Sequence, residues 1–137
     1  MRAWRRDRVI AVAAAGVLPL VVCAAAAVPA SAALGYTVTA TIEVGNGPDG
    51  AAVDPGTHTL YVTNVDDDTV SVIDEVSGTA TATVTVGGGP LTVAVDPTTH
   101  TAYVTNGGNG TVSVIDGATS AVTAVIAVGS GPDGVAV

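Results

Sequence analysis

The chain repeats itself at a fixed step, and this repeat limits its fold more than any other feature. Tyr61-Val62-Thr63-Asn64 recurs as Tyr103-Val104-Thr105-Asn106, Val70-Ser71-Val72-Ile73-Asp74 as Val112-Ser113-Val114-Ile115-Asp116, and Asp54-Pro55 as Asp96-Pro97; every pair is displaced by 42 residues. A third unit opens with Val128-Gly129-Ser130-Gly131-Pro132, matching Val86-Gly87-Gly88-Gly89-Pro90 and Val44-Gly45-Asn46-Gly47-Pro48, and runs to Val137. A unit this short cannot bury an apolar face by itself, so successive units must stack.

Within a unit, runs of Val, Ile, Thr and Tyr alternate with Gly, Pro, Asp and Asn, the pattern of strands separated by turns. No run has helical spacing. Four strands are expected in the first unit, over residues 51–54, 59–64, 69–74 and 79–86. Pro55 ends the first because proline cannot donate to a ladder, and the polar connection 65–68 makes the second and third a hairpin. The fourth alternates Thr with Ala or Val, as an outer strand with one solvated face would. The fold class is all-β, with four antiparallel strands per unit. Phe is absent, so Tyr61 and Tyr103 are expected to fill the wedge between stacked sheets.

Four strands in about 40–45 residues is the period of a propeller blade. The Tyr-Val-Thr-Asn tetrapeptide, the preceding Ala-Val-Asp-Pro turn, the following Thr-Val-Ser-Val-Ile-Asp strand and the Gly-x-Gly-Pro lead-in resemble the YVTN family of β-propeller repeats over nearly all of residues 36–137. The resemblance implies an exported propeller, often of about seven blades, at the cell surface or in the periplasm, with no single shared activity. Residues 45–86 and 87–128 read as two complete blades, 36–44 as an isolated outer strand and 129–137 as the start of a third blade. Two blades cannot close a ring, since propellers use about 4–8. The expectation is therefore a fragment of a larger ring, with self-association of several chains as the alternative.

Composition changes near residue 33. All four basic residues, Arg2, Arg5, Arg6 and Arg8, precede an apolar run over 9–28, and Ala30-Ser31-Ala32 offers a small-x-small cleavage site. Residues 1–32 read as a signal peptide, with processing before Ala33; a membrane anchor is the alternative, since about 20 apolar residues can span a bilayer. Cys23 follows Leu20-Val21-Val22 and does not suit lipidation, and Asp7-Arg8 after Arg5-Arg6 does not suit the twin-arginine route. The secreted part, residues 33–137, keeps 11 of the 12 acidic residues, losing only Asp7, and no Lys, Arg or Cys, for a charge of −11. Nucleic acid and anionic membrane are disfavoured as partners on charge. Disulfides and thiolate metal sites are excluded by the missing cysteine.

The connections leading into the first strand and joining the second to the third are expected on one face. That makes Asn64, Asp66, Asp67, Asp68, Asn106, Asn109, Asp49 and Asp133 the candidate binding residues. Asp66-Asp67-Asp68 with Asn64 offer oxygen ligands suited to Ca²⁺, set against a solvated hairpin tip, which the Gly107-Gly108-Asn109-Gly110 loop of the next unit favours. His58 and His100 take equivalent turn positions and are read as turn residues rather than ligands. Ser71 and Ser113 lie inside strands with no histidine near in sequence, so neither is read as a nucleophile. The glycine-rich turns lead into strands, unlike phosphate loops, which lead into a helix. No catalytic residue and no cofactor is assigned. The expected function is a secreted or cell-surface repeat module for binding or structural interaction, its ligand an unknown protein, glycan or small molecule. The alternative is an extracytoplasmic propeller enzyme, lactonase-, lyase- or quinoprotein-like, with its catalytic residues in further blades.

Overall fold

The computed structural model describes residues 10–11 and 35–137. The leader read over residues 1–32 lies outside them, apart from a two-residue strand, β1 (Ile10–Ala11), which pairs antiparallel with β2 (Thr41–Ile42). The rest forms two four-stranded antiparallel meanders. The first blade holds β3 (Pro48–Asp54), β4 (Thr59–Asn64), β5 (Thr69–Asp74) and β6 (Thr79–Thr85), and the second β7 (Pro90–Asp96), β8 (Thr101–Asn106), β9 (Thr111–Asp116) and β10 (Ala121–Ala127). No described residue is helical. The all-β, four-strand-per-unit expectation is met in both repeats.

Register decides which side chains share a face. Tyr61 lies opposite Val72 and Ala52, and Val70 opposite Val84, so alternation places these residues on one side of the first blade and Leu60, Val62 and Ile73 on the other. β4 is buried on both sides, with Leu60, Tyr61 and Val62 in succession followed by the buried polar Thr63 and Asn64. The blades stack where β3 and β4 meet β7. Tyr61, Val70, Val72 and Val84 pack there against Val93, Ala102, Val104 and Ile115. Full burial of each larger side chain contributes roughly 1.5–3 kcal/mol, so this interface is the main source of stability. A smaller cluster joins Leu60, Val62 and Ile73 to Ile42 and Val44 on the far side of the first blade.

Four boundaries differ from the sequence reading. The inner strand starts at Pro48 rather than 51, and its counterpart at Pro90; an irregularity between Pro48 and Ala51, repeated between Pro90 and Val93, admits a proline where the ladder needs no donor. The outer strand ends at Thr85 instead of 86. Only Thr41–Ile42 of the expected strand 36–44 is β-structure, and Tyr36 and Val38 stand exposed, because a strand needs a ladder partner and only Ile10–Ala11 supplies one. Residues 131–137 form no ladder. They nevertheless follow the inner-strand path, where the Asp133 carbonyl accepts a 2.6 Å hydrogen bond from the Thr92 hydroxyl.

Candidate functional site

The Tyr-Val-Thr-Asn repeat can be explained residue by residue. Tyr61 fills the space between blades, and Val62 packs on the opposite face. The Thr63 hydroxyl accepts from the Gly50 N–H at 2.7 Å and donates to the carbonyl of Leu91 at 2.9 Å, so it ties the inner strand of its own blade to that of the next. Gly50 has to be glycine, because a Cβ there would collide with that same Leu91 carbonyl oxygen. Asn64 donates from Nδ2 to Thr69 Oγ1 and Ser71 Oγ at 3.0 Å each, and Asn106 repeats both bonds with Thr111 and Ser113. Both asparagines are fully buried. Of the candidate binding residues, these two therefore brace the sheet from inside it, and Ser71 and Ser113 are their acceptors.

The remaining candidates lie where the turn chemistry puts them, on one loop face. Val65 N–H donates to the Gly47 carbonyl and Asp66 N–H to that of Asn46, while Gly107 and Gly108 N–H repeat the pattern to Gly89 and Gly88. Asp67 takes the Asn46 N–H at 2.7 Å and its side-chain amide at 3.0 Å. These bonds, the side-chain amide first, hold its carboxyl below the usual range. Asn109, 42 residues on, takes the Gly88 N–H in the same way. Asp68 reaches the Gly89 N–H of the next unit at 2.8 Å.

The three consecutive aspartates thus diverge. Asp66 lies over Gly47, Asp67 binds Asn46 and Asp68 crosses to Gly89. Among the described residues no three His, Cys, Asp or Glu side chains converge as a metal would require. What the loops enclose instead is an open concavity of about 730 Å³ lined by Asn46, Asp49, Val65, Asp66, Asp67 and Leu91. Asp49 is exposed on it. Asp133, its repeat equivalent, uses its backbone carbonyl to meet the Thr92 and Thr105 hydroxyls.

A second constellation was missed in the sequence. His100 Nδ1 lies 2.7 Å from Asp54 Oδ2, joining the turn after β7 to the end of β3 in the other blade. Asp54 is completely buried, while the His100 side chain is 43% exposed. Burial opposes ionisation of Asp54, but the bond to His100, the Gly56 N–H at 2.9 Å and the Thr57 hydroxyl outweigh it and hold the carboxyl below its usual range. Both histidines adopt left-handed backbone, φ 54° each, which His tolerates better than most residues. His58 meets only Glu75, at 4.0 Å. The phenol of Tyr61 is buried without a hydrogen-bond partner; burial, then the negative charges of Asp54 and Asp116, push its pKa up. The signal was present, since Asp and His each recur at the 42-residue step and the partner of Asp54 lies one period plus one turn away.

No family model matches the chain, and no curated protein matches it. Solved structures do. Hydrazine synthase of Kuenenia stuttgartiensis superposes with a TM-score of 0.66 at 30% identity, over 70% of this chain and 28% of that one. AztD of Citrobacter koseri gives 0.62 at 23% identity, over 70% and 27%. The dihydro-heme d1 dehydrogenase NirN, in complex with DHE, gives 0.55 at 20% identity, over 67% and 20%. The chain spans less than a third of the length of each. These neighbours are propeller proteins, and together with the two meanders they establish that residues 48–127 form two β-propeller blades.

Proposed function

We propose that the chain is an exported propeller module of the YVTN type whose loop face binds a partner. The observation that carries this reading is the convergence of loops 45–50 and 65–68 around an open, acid-rimmed concavity to which Asp49 and Asp66 contribute carboxylates. Such a rim suits a cationic or hydroxyl-rich ligand, which is a protein, a glycan or a small molecule. Export is supported by the four leading arginines, the apolar run and the Ala30-Ser31-Ala32 site. No helix among the described residues is long and apolar enough to cross a membrane. The buried serines, already committed to Asn64 and Asn106, favour binding over hydrolysis.

Immobilised chain and a D49N/D66N variant, challenged with the same envelope extract, test the reading. Saturable retention by the parent and its loss in the variant are expected. Equal retention by both, or by neither, refutes a role for this concavity.

A further inference from the structure

We propose that Asn46–Gly47 is a self-modification site, where the side-chain amide of Asn46 is lost through a succinimide, and that this conversion releases the clamp between loops 45–50 and 65–68. The proposal goes beyond the binding reading and does not depend on it.

The chemistry needs an asparagine whose side-chain carbon is within reach of the next peptide nitrogen, and a following glycine leaves that nitrogen least hindered. The chain holds three such pairs, Asn46–Gly47, Asn106–Gly107 and Asn109–Gly110. The structure separates them. Asn106 is fully buried, its amide donates to Thr111 and Ser113, and the Gly107 N–H donates to the Gly89 carbonyl at 2.9 Å. Asn109 is exposed, but its Oδ1 accepts the Gly88 N–H, and the nitrogen that would attack it, that of Gly110, donates to the Asn106 carbonyl at 3.0 Å. Asn46 is exposed, and among the described residues no acceptor takes the Gly47 N–H. At the equivalent place in the next unit the Gly89 N–H is held by Asp68 at 2.8 Å. Gly47 also has left-handed backbone, φ 64°, with the Asp66 carboxylate where a Cβ would stand, so no side chain can come to shield that nitrogen.

In the reaction the Gly47 nitrogen attacks Cγ of Asn46 and closes the succinimide ring. The Cγ–Nδ2 bond breaks, and ammonia leaves with the proton that the Gly47 nitrogen gives up. Water then opens the ring at either carbonyl, which leaves aspartate or isoaspartate at position 46.

Asn46 is the centre of a clamp, and both products break it. Its N–H and its Nδ2 reach one Asp67 carboxylate at 2.7 and 3.0 Å, while the carbonyls of Asn46 and Gly47 receive the Asp66 and Val65 N–H groups. These bonds join the two loops that wall the concavity. An aspartate sets a second carboxylate against Asp67 where a donor had been, and like charges that close disfavour each other. Isoaspartate also inserts a methylene group into the main chain between the clamped N–H and the Gly47 carbonyl. Ammonia escapes to solvent, so the opening runs one way.

The test holds the folded chain in mildly alkaline buffer and follows each pair by peptide mapping with mass spectrometry, with amide exchange measured on N46D and N46G. Conversion is expected to be fastest at Asn46, slower at Asn109 and undetectable at Asn106, and in denaturant the three rates should converge. N46G, which copies Gly88, should leave the other two pairs unaffected. The Val65 and Asp66 N–H groups should exchange on the order of tenfold faster in N46D and as slowly as the parent in N46G, whose backbone N–H still reaches Asp67. Conversion of Asn109 or Asn106 that matches Asn46 in the folded chain would overturn the site, and the same order of rates in denaturant would assign it to sequence rather than structure. Unchanged exchange of Val65 and Asp66 in N46D would overturn the clamp.

Discussion

Replacing His100 with glycine isolates the polar contact between blades, because glycine keeps the left-handed backbone of φ 54° at no steric cost and removes only the imidazole. The structure then leaves Asp54 with the Gly56 N–H and the Thr57 hydroxyl and without its 2.7 Å partner, at a site with no solvent exposure. A hydrogen bond to a charged group is worth about 1.5–3 kcal/mol. The imidazole itself is 43% exposed, so water partly replaces it and the lower end of that range applies. At about 4–8 °C per kcal/mol for a domain of this size, H100G should melt roughly 6–12 °C below the parent. H58G is the matched control: the same turn, the same φ and only a 4.0 Å contact to Glu75, so its Tm should barely move. Thermal unfolding by far-ultraviolet circular dichroism at neutral pH reads both. The pH profile carries its own sign. Asp54 has a folded pKa below its unfolded value, so its contribution is complete above the ordinary aspartate value of about 3.9 and disappears as pH falls through the lowered folded value. The gap between H100G and parent should therefore narrow below about pH 4. Equal melting of H100G and H58G, or a gap that widens in acid, would refute the reasoning.

Thr63→Val removes the hydroxyl that joins Gly50 to Leu91 and should cost about 1–3 kcal/mol by denaturant titration; Thr105→Val, with a weaker contact of 3.4 Å to Asp133, should cost less. Tyr61→Phe deletes a buried phenol that has no partner, so stability measured the same way should hold or rise, unlike most core substitutions. Asp67→Asn reproduces what Asn109 already does at the equivalent position, and its Tm should match the parent. Addition of Ca²⁺ should leave the Tm unchanged in parent and D66N/D67N/D68N alike, since the three carboxylates do not converge; a calcium-dependent rise confined to the parent would contradict that.

What the sequence made legible was whatever depends on local spacing. The hairpins Thr59–Asn64 with Thr69–Asp74 and Thr101–Asn106 with Thr111–Asp116 fall where alternation and turn residues place them, and Tyr61 enters the interblade core as its size required. Strand ends without a ladder partner were not legible. Residues 36–44 have the composition of an outer strand, but composition cannot supply the neighbour that 79–85 finds in β5. The Gly-x-Gly-Pro lead-in has the composition of a turn, whereas a bulge admits Pro48 and Pro90 to the strand.

For the site, the loop face could be read, since hairpin connections and lead-ins of one meander must share a side. The burial of Asn64 and Asn106 could not. An Asn ending a strand beside a polar turn looks like a surface residue until Ser71 and Thr69 are seen to receive its amide. The Asp54–His100 pair joins residues 46 apart through a blade interface, and no local pattern reports a contact between faces. Only the shared 42-residue step of Asp-Pro-x-Thr-His hinted at it.

Two blades stack through Tyr61, and the 42-residue step carries the residues of the first blade to matching positions on the second. Nuclear Overhauser contacts in the folded chain measure this directly. The Tyr61 ring should contact Gly117, whose absent Cβ would lie 2.8 Å from the phenol oxygen, and methyl groups of Ala102, Val104 or Ile115 in the second blade. Tyr103, on the open face, should show no contact to the first blade. Tyr61 contacts confined to its own sheet, or Tyr103 contacts to β3–β6, would contradict the stacking and the account built on it.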